Sequence, residues 1–278
     1  MSFNEVIQHG KTDFPFQIYY LDKAHPRYEM VFHWHNFIEV IKVHTGTLRL
    51  VLNNKTYIAK AGDVFIINPD VVHGATPTDC TYTCFLFNPE FLKNGNTQLD
   101  SFIDGLIGHS HFIHTRVKNP DLINHIDRII DAMSAPKVGY EFNVIGNVLL
   151  AFYNIIDKNL FSLSPTKFFE NEKTVNKLKS ILSYIRENFN SEISLQDMAN
   201  VVGFTTKYFC QYFKKMTGKT PIDYLISFRI EWASRKLVET DESITSIAYS
   251  CGFNDTSFFI RTFRRLKNTT PKEYRCGI

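Results

Sequence analysis

Three histidines and a glutamate in the first third of the sequence have a spacing that suits a common site. They are His33, His35 and Glu39, joined by His73, which lies eleven residues after Gly62. Because alternate side chains of a strand share a face, the first three can point to one side of a sheet. Imidazole and carboxylate groups in this combination suit a first-row transition metal with open coordination positions. The residues also allow another interpretation, in which they line a polar pocket or satisfy one another by hydrogen bonds.

The sequence around this cluster is typical of short β-strands. Runs rich in Val, Ile, Phe and Tyr cover residues 39–43, 48–52, 57–59 and 64–68, with Gly46 between the first two. Short strands at close spacing, separated by turn residues, predict a β-sandwich or barrel over about residues 14–90. Asn53-Asn54 is predicted to form a two-residue hairpin turn.

The spacing H-x-H-x3-E-x6-G that begins at His33 resembles the first motif of cupin barrels. His73 stands where the second cupin motif supplies its last histidine, although residues 68–72 (NPDVV) replace the usual Pro-x-Gly. The resemblance implies a cupin-like sensing domain that keeps these residues as fold markers and holds a small organic effector. His33, His35, Glu39 and His73 would then line the effector pocket. A divalent metal held by the same four residues is the alternative.

Two amphipathic helices are predicted after the barrel, within residues 119–134 and 140–161. The second carries an apolar stripe of Ile145, Val148, Leu149, Phe152, Ile155 and Ile156. Such a wide stripe favours a helix-pair interface in a homodimer, and packing onto the barrel is the alternative. The Ser-Pro break predicts a linker at 163–172, between a sensing and dimerisation domain at 1–162 and a second domain at 173–278.

A pattern of two apolar stripes around a glycine occurs twice in the last third of the chain. Leu195, Met198, Ala199 and Val202 match Ile244, Ile247, Ala248 and Cys251, at the i, i+3, i+4, i+7 spacing of a helix. Each stripe ends at a Gly-Phe pair, Gly203-Phe204 or Gly252-Phe253. The stripes that follow are Phe209, Phe213 and Met216 in one copy and Phe259, Phe263 and Leu266 in the other. The repeat predicts two helix-turn-helix motifs in an all-α domain, joined by a helix that Pro221 opens.

Charge separates the two parts of the chain. Residues 1–171 have a net charge of −3 and all ten histidines, whereas residues 172–278 have a net charge of +6. The basic part is therefore a candidate for binding a polyanion. Five cysteines without metal or disulfide spacing favour a reducing cytoplasm, and no apolar run is long enough to span a membrane.

The region from Lys173 to Arg275 resembles the DNA-binding domain of AraC/XylS-type transcriptional regulators. The shared residues include Arg229-Ile230 in the joining helix, I-x-x-I-A-x-x-x-G-F from Ile244, and the Thr-Pro-x-x-Tyr endings. Carried over by position, the base-reading residues would be Thr206, Lys207, Cys210 and Gln211 in one recognition helix and Thr256, Ser257 and Arg261 in the other. Lys214, Lys215, Arg264 and Arg265 would neutralise phosphates. Asp255 is expected to cap the second recognition helix or to pair with Arg229.

The resemblance implies a sequence-specific transcriptional regulator, an activator controlled by a small effector in the barrel, and not an enzyme. Its implied partners are double-stranded DNA, the effector, a second copy of the chain and RNA polymerase. The alternative is a metal-binding cupin, either an enzyme or a metal sensor, fused to a DNA-binding module. A third possibility is a constitutive regulator whose barrel serves only to dimerise.

Overall fold

The computed structural model describes residue 11 and residues 13–25, 27–163 and 172–276. Among these residues, the chain divides into two compact units. One unit contains the residues up to His25 and those from His33 to Glu172, and the other contains residues 27–32 and those from Lys173 onward. Most of the linker predicted at 163–172 lies outside the described residues.

The first unit is built on a seven-stranded sheet. Its strands are β1 (Phe16–Leu21), β2 (Met30–His33), β3 (Ile38–Leu52), β4 (Lys55–Lys60), β5 (Val64–Ile67), β6 (His73–Phe87) and β8 (Arg116–Val117). The path through the sheet is β1-β6-β3-β5-β8, and β4 pairs with β3. The short strands β7 (Phe112–Ile113) and β9 (Phe161–Ser162) pair separately. This β-rich architecture is the cupin-like domain that the sequence predicts.

Strand β3 is longer than expected. The runs at 39–43 and 48–52 were predicted as separate strands, but they form one strand of 15 residues that pairs antiparallel with β6. The pairing register shifts on both sides of Thr45, so the strand bends there without ending. Gly46 has a φ of +69°, and a Cβ on it would lie 2.0 Å from the carbonyl oxygen of Asp79. The glycine therefore permits a bend inside the sheet, and the prediction of a break at this point is wrong.

The Asn53-Asn54 hairpin is confirmed. β3 ends at Leu52 and β4 begins at Lys55, and Asn53 adopts a φ of +53°. The Asn53 side-chain oxygen accepts a hydrogen bond of 3.0 Å from the backbone amide of Val72. This bond ties the turn to the segment just before β6, on which His73 is the first residue.

Helices cover one face of the sheet. They are α1 (Thr97–Ile107), α2 (Pro120–Ser134) and α3 (Tyr140–Asp157), after a short 3₁₀ helix at Pro89–Leu92. A core cluster joins sheet residues such as Val40 and Phe85 to Ile126 of α2 and to Val148, Phe152 and Ile155 of α3. These three residues belong to the stripe predicted for the dimer interface, so that part of the stripe packs onto the sheet, as the alternative interpretation has it. The helix predicted at 119–134 is confirmed, with Asn119 as its cap. The helix predicted to reach residue 161 ends at Asp157, and Phe161 belongs to β9.

The second unit is helical. Its helices are α4 (Glu172–Asn188), α5 (Leu195–Asn200), α6 (Thr206–Thr217), α7 (Pro221–Glu239), α8 (Ile244–Ser250), α9 (Thr256–Lys267) and α10 (Pro271–Arg275). The pairs α5–α6 and α8–α9 are the two predicted helix-turn-helix motifs, and α7 joins them. Ser194 and Asp197 form a capping box at the start of α5. Gly203 and Gly252 both have positive φ, which ends the first helix of each pair.

A short segment from the other end of the chain also belongs to this helical unit. Residues 27–32 include the first three residues of β2, yet they group with α4–α10 and not with the other strands of the sheet. The buried Tyr224 hydroxyl of α7 donates a 2.7 Å hydrogen bond to the Phe32 carbonyl oxygen. The Lys219 ammonium lies 2.8 Å from the Glu29 carboxylate. The helical unit is therefore assembled from two separate stretches of sequence.

Across the described ranges, we find no helix with the length and apolar character needed to cross a membrane.

Candidate nucleic-acid interface and sensor pocket

Helices α6 and α9 are equal in length and have similar burial patterns. Each has 12 residues, and each buries the predicted phenylalanines: Phe209 and Phe213 in α6, Phe259 and Phe263 in α9. The cluster beneath α9 includes Ile247 and Ala248 of α8 and Ile230 of α7. The three buried positions of α9, Phe259, Thr262 and Phe263, match buried positions of α6, so the outward positions of the two helices match as well.

The predicted DNA-contacting residues all lie away from these buried stripes. In α6, Lys207, Gln211, Lys214 and Lys215 are exposed, and Thr206 and Cys210 are half-buried. In α9, Ser257, Arg261, Arg264 and Arg265 are exposed, and Thr256 is half-buried. The structure thus brings each set together on one side of its helix. The basic pairs are in the last turn, where positive side chains also interact favourably with the helix dipole.

Two of the predicted roles need adjustment. The Thr206 hydroxyl donates a 2.8 Å hydrogen bond to the side-chain oxygen of Gln196 in α5. Thr206 therefore helps to hold the two helices of the first motif together. Asp255 caps α9, since its carboxylate accepts a 2.6 Å hydrogen bond from the Phe258 amide. Pairing of Asp255 with Arg229 is wrong, because the Arg229 guanidinium binds backbone carbonyl groups in the α4–α5 connection.

Ile260 is an exposed apolar residue of α9 that the sequence reasoning missed. It occupies the position that Cys210 occupies in α6, four residues after the N-terminal threonine of the helix. The sequence signal for Ile260 is the repeat itself, because Cys210, its counterpart in the first copy, is among the predicted DNA-contacting residues.

The second candidate site is the histidine cluster of the first unit. His33 ends β2, His35 lies in the following loop, Glu39 is on β3 and His73 begins β6. One ligand atom from each of the four lies within 4.8 Å of the others. The expected strand alternation does not produce this arrangement, because residues 34–37 leave the strand between His33 and Ile38. The loop between β2 and β3 instead turns His35 toward Glu39.

Glu39 is at the centre of the cluster. Its Oε2 lies 3.2 Å from Nε2 of His35 and 3.0 Å from Nε2 of His73. The three side chains are only 2%, 1% and 0% exposed, respectively. Burial by itself would raise the pKa of Glu39, but hydrogen bonds from both histidines, together with their charges, hold that pKa well below its usual range. The glutamate is therefore a buried carboxylate anion.

The other nitrogen of each ring also faces an oxygen. Nδ1 of His35 lies 3.3 Å from the Phe37 carbonyl oxygen, and Nδ1 of His73 lies 2.8 Å from that of Val71. A neutral imidazole carries only one N–H, so it can donate to only one of two acceptors. If Nδ1–H of each ring donates to its carbonyl oxygen, Nε2 keeps a lone pair that can bind a cation beside Glu39. Donation from the second ring nitrogen to a carbonyl is usual for metal-binding histidines, so these residues fit a divalent transition metal.

Two family models match the chain in succession. The model described as the AraC-like ligand binding domain matches residues 15–142, and the model described as a helix-turn-helix domain matches residues 198–276. The first match contains the histidine cluster, and the second contains α6 and α9. The two candidate sites therefore lie in a ligand-binding and a helix-turn-helix domain.

Relatives match along most of the chain. The "Uncharacterized HTH-type transcriptional regulator YdeC" of Bacillus subtilis (strain 168) is 24% identical over 253 residues, which cover 87% of this chain and 85% of that protein. The "HTH-type transcriptional activator RhaS" of Enterobacter sp. (strain 638) is 29% identical over 251 residues, which cover 88% of this chain and 87% of that protein. Both relatives are described as transcriptional regulators with a helix-turn-helix.

Solved structures match either about a third of this chain or nearly all of it. The C-terminal domain of the response regulator yesN from Fusobacterium nucleatum is 31% identical and covers 36% of this chain and 98% of its own, with a TM-score of 0.35. Unsaturated fatty acid bound ToxT from Vibrio cholerae is 14% identical and covers 95% of both chains, with a TM-score of 0.46.

Proposed function

Because this chain belongs to the AraC/XylS-type family of transcriptional regulators, we propose that it activates transcription when a small effector occupies its histidine pocket. Its helix-turn-helix domain binds DNA, as in its relatives. Activation is proposed because the relative RhaS is described as an activator, and it requires RNA polymerase as a partner in the cytoplasm. The relatives are regulators and not enzymes, and no reaction is proposed for this chain.

The proposal depends most on one observation, the equivalent outward faces of α6 and α9. We propose that Lys207, Cys210 and Gln211 of α6 read bases, as do Thr256, Ser257 and Arg261 of α9. Arg and Gln suit bidentate contacts to guanine and adenine, respectively. Thr206, despite its bond to Gln196, remains at the edge of this face. Lys214, Lys215, Arg264 and Arg265 contact phosphates and set the register on the duplex.

Selection of duplexes from a random library by the full chain tests this function. The helix α7 between the motifs has 19 residues, so its axis is roughly 28 Å long. With both recognition helices in the major groove, the protected bases should form two groups about one helical turn, ~34 Å, apart on one face of the duplex. Enrichment of no preferred sequence would refute sequence-specific binding. Protection of a single group would show that only one motif enters the DNA.

We propose that residues 1–162, apart from the segment 27–32 that groups with the helices, form the sensing and dimerisation domain, 163–172 the linker and 173–278 the DNA-binding domain. The homodimer is proposed to form through α3. Its outward face exposes Phe142, Leu149, Tyr153 and Ile156, with Phe142 84% and Tyr153 62% exposed. Burying such apolar side chains against a second copy of α3 is favourable, because it removes them from water.

A metal ion is the second candidate for the effector, and the ring-nitrogen geometry favours it. His33, His35, Glu39 and His73 would hold the ion. It would supply the positive charge that lets both Nε2 atoms face the Glu39 carboxylate without two imidazolium ions. With an organic effector instead, the same residues are hydrogen-bonding groups of the pocket.

Metal analysis of full-length protein purified without chelator separates the two effectors. A metal regulator should contain about one equivalent of iron, manganese, nickel or zinc, and His35→Ala and Glu39→Ala should lose it. His114→Ala is the control, since His114 is an exposed histidine of the same unit outside the cluster. Metal-free wild-type protein that still gains DNA affinity with a small organic molecule would exclude the metal candidate.

A further inference from the structure

Ile260 is the apolar residue on the outward side of α9. Its side chain is 37% exposed. The neighbouring outward residues, Ser257, Arg261 and Arg264, are polar or charged. An isoleucine at this position is not needed for helix formation, because β-branched residues have lower helix propensity than Ala, Arg or Lys. Helix propensity therefore does not account for the choice of isoleucine here.

Packing against the protein core does not account for Ile260 either. The apolar cluster under α9 consists of Phe259 and Phe263 with residues of α7 and α8, and Leu266 packs against its edge. Phe258, also exposed, has its ring centroid 6.1 Å from that of Phe253, at the turn between α8 and α9. Ile260 belongs neither to this cluster nor to the side chains packed against it. Its apolar surface remains available to a partner.

The chemistry of the DNA major groove identifies what that partner group is. Among the base edges exposed there, the 5-methyl group of thymine is the apolar one. Arg261, the next residue along the helix, has the side chain best suited to a bidentate contact with guanine O6 and N7. Successive residues rise 1.5 Å along a helix, so these two side chains can reach neighbouring base pairs.

We propose that Ile260 is a specificity-determining residue that contacts the 5-methyl group of a thymine, next to the guanine read by Arg261. This rests on the proposed DNA-binding role of α9. In α6 the matching pair is Cys210 and Gln211, whose chemistry suits an adenine and no strong methyl contact. The two motifs therefore recognise different base steps, and the binding site is asymmetric within one copy of the protein.

Methyl deletion in the DNA tests the contact directly. The full chain first selects a preferred duplex from a random library, and each thymine of that duplex is then replaced by deoxyuridine, which lacks only the methyl group. For the wild type, replacement of one of these thymines should weaken binding about fourfold, because the complex then no longer buries the methyl group of that base away from water. For Ile260→Ala, affinity for the thymine duplex should fall, and the same replacement should have no further effect.

Two further variants make the result specific. Ile222→Ala is the matched control, because Ile222 is the same residue type with the same 37% exposure, located at the start of α7. It should retain the deoxyuridine sensitivity at that thymine. Ile260→Val should retain part of it, because valine keeps two methyl groups near the helix.

The outcomes distinguish this inference from the function on which it rests. A library that yields no preferred duplex would overturn sequence-specific binding, and this inference with it. A preferred duplex in which every deoxyuridine replacement affects the wild type and Ile260→Ala equally would overturn the inference alone. Sensitivity that disappears only in Ile260→Ala would establish it.

Discussion

Gly252 is held against the backbone of Phe189, so closely that a Cβ on the glycine would lie 2.3 Å from the Phe189 carbonyl oxygen. The same Cβ would approach the Arg229 guanidinium to 2.8 Å. Arg229 itself donates hydrogen bonds of 2.7 Å to the carbonyl oxygens of Phe189 and Ser191. At Gly203, the matching turn of the first motif, an added Cβ would have no atom within 4 Å. The two equivalent glycines thus have different surroundings.

We therefore expect unequal costs for the two glycine-to-alanine substitutions. Gly203→Ala should destabilise by about 1–2 kcal/mol, the strain of a left-handed alanine. Gly252→Ala should lower the free energy of unfolding by about 2 kcal/mol more than Gly203→Ala does, because it displaces the charged hydrogen bonds of Arg229. Urea unfolding in a Trp34→Phe background measures this, since Trp232, beside Phe189, is then the remaining tryptophan. Equal costs would show that the crowding at Gly252 relaxes freely.

Arg261 and Lys215 should differ in what they contribute to DNA binding. Arg261→Ala should cost about 1–3 kcal/mol on the preferred duplex and relax the preference at one base pair. Lys215→Ala should weaken all duplexes alike and reduce the slope of log affinity against log salt by about one. Binding titrations at several salt concentrations check both. Equal losses for both variants on preferred and random DNA would mean that bases and phosphates are assigned wrongly.

Charge on the outer face of α3 should dissociate the proposed dimer. Tyr153→Lys places an ammonium at the centre of the exposed apolar stripe, where burial against a second copy would be costly. Analytical ultracentrifugation should show a monomer for this variant and a dimer for the wild type. Tyr249→Lys, at a 55% exposed tyrosine of α8, is the control and should remain dimeric. A dimer in both variants would place the interface elsewhere.

The capping box of α5 should make stability depend on pH. The hydrogen bonds from the Ser194 hydroxyl and backbone amide lower the pKa of Asp197 from its ordinary value of 3.8. The carboxylate therefore stabilises the fold above that value, and this contribution is lost as the pH falls toward the lowered pKa. Asp197→Asn should be less stable than the wild type at about pH 6, and the difference should shrink by about pH 3. A difference that stays constant with pH would contradict this role.

The features that the sequence predicts well are local ones. The stripes and glycines of residues 194–275 predict four helices and two turns, because each signal lies within a few residues of its effect. Helix α1 was missed, although Asn96 caps it through its side chain. Gly105 within it is typical of a break, and the reason for this glycine lies outside the helix, since a Cβ there would meet the His111 ring. The continuity of β3 through Gly46 depends in the same way on Asp79, more than thirty residues away.

In the candidate sites, too, the features with a local sequence signal were predicted and those that depend on other parts of the chain were not. The outward residues of α6 and α9 follow from helical periodicity, and Ile260 was missed only because the copies were not matched at every position. The histidine cluster was predicted from motif spacing, but the alternation argument placed His35 on a strand that it does not occupy. The carbonyl partners of its ring nitrogens, Phe37 and Val71, depend on loop geometry that no spacing specifies.

The bond between Tyr224 and Phe32 has a practical consequence for anyone who builds hybrid regulators. A gene that starts at codon 173 would encode all seven helices of the second unit but none of residues 27–32, which belong to it. The isolated fragment would expose the Tyr224 hydroxyl and the Lys219 ammonium where Phe32 and Glu29 now bind. Swapping sensors by a single crossover in the linker would therefore leave a gap, which a matching surface segment of the donor sensor would have to fill.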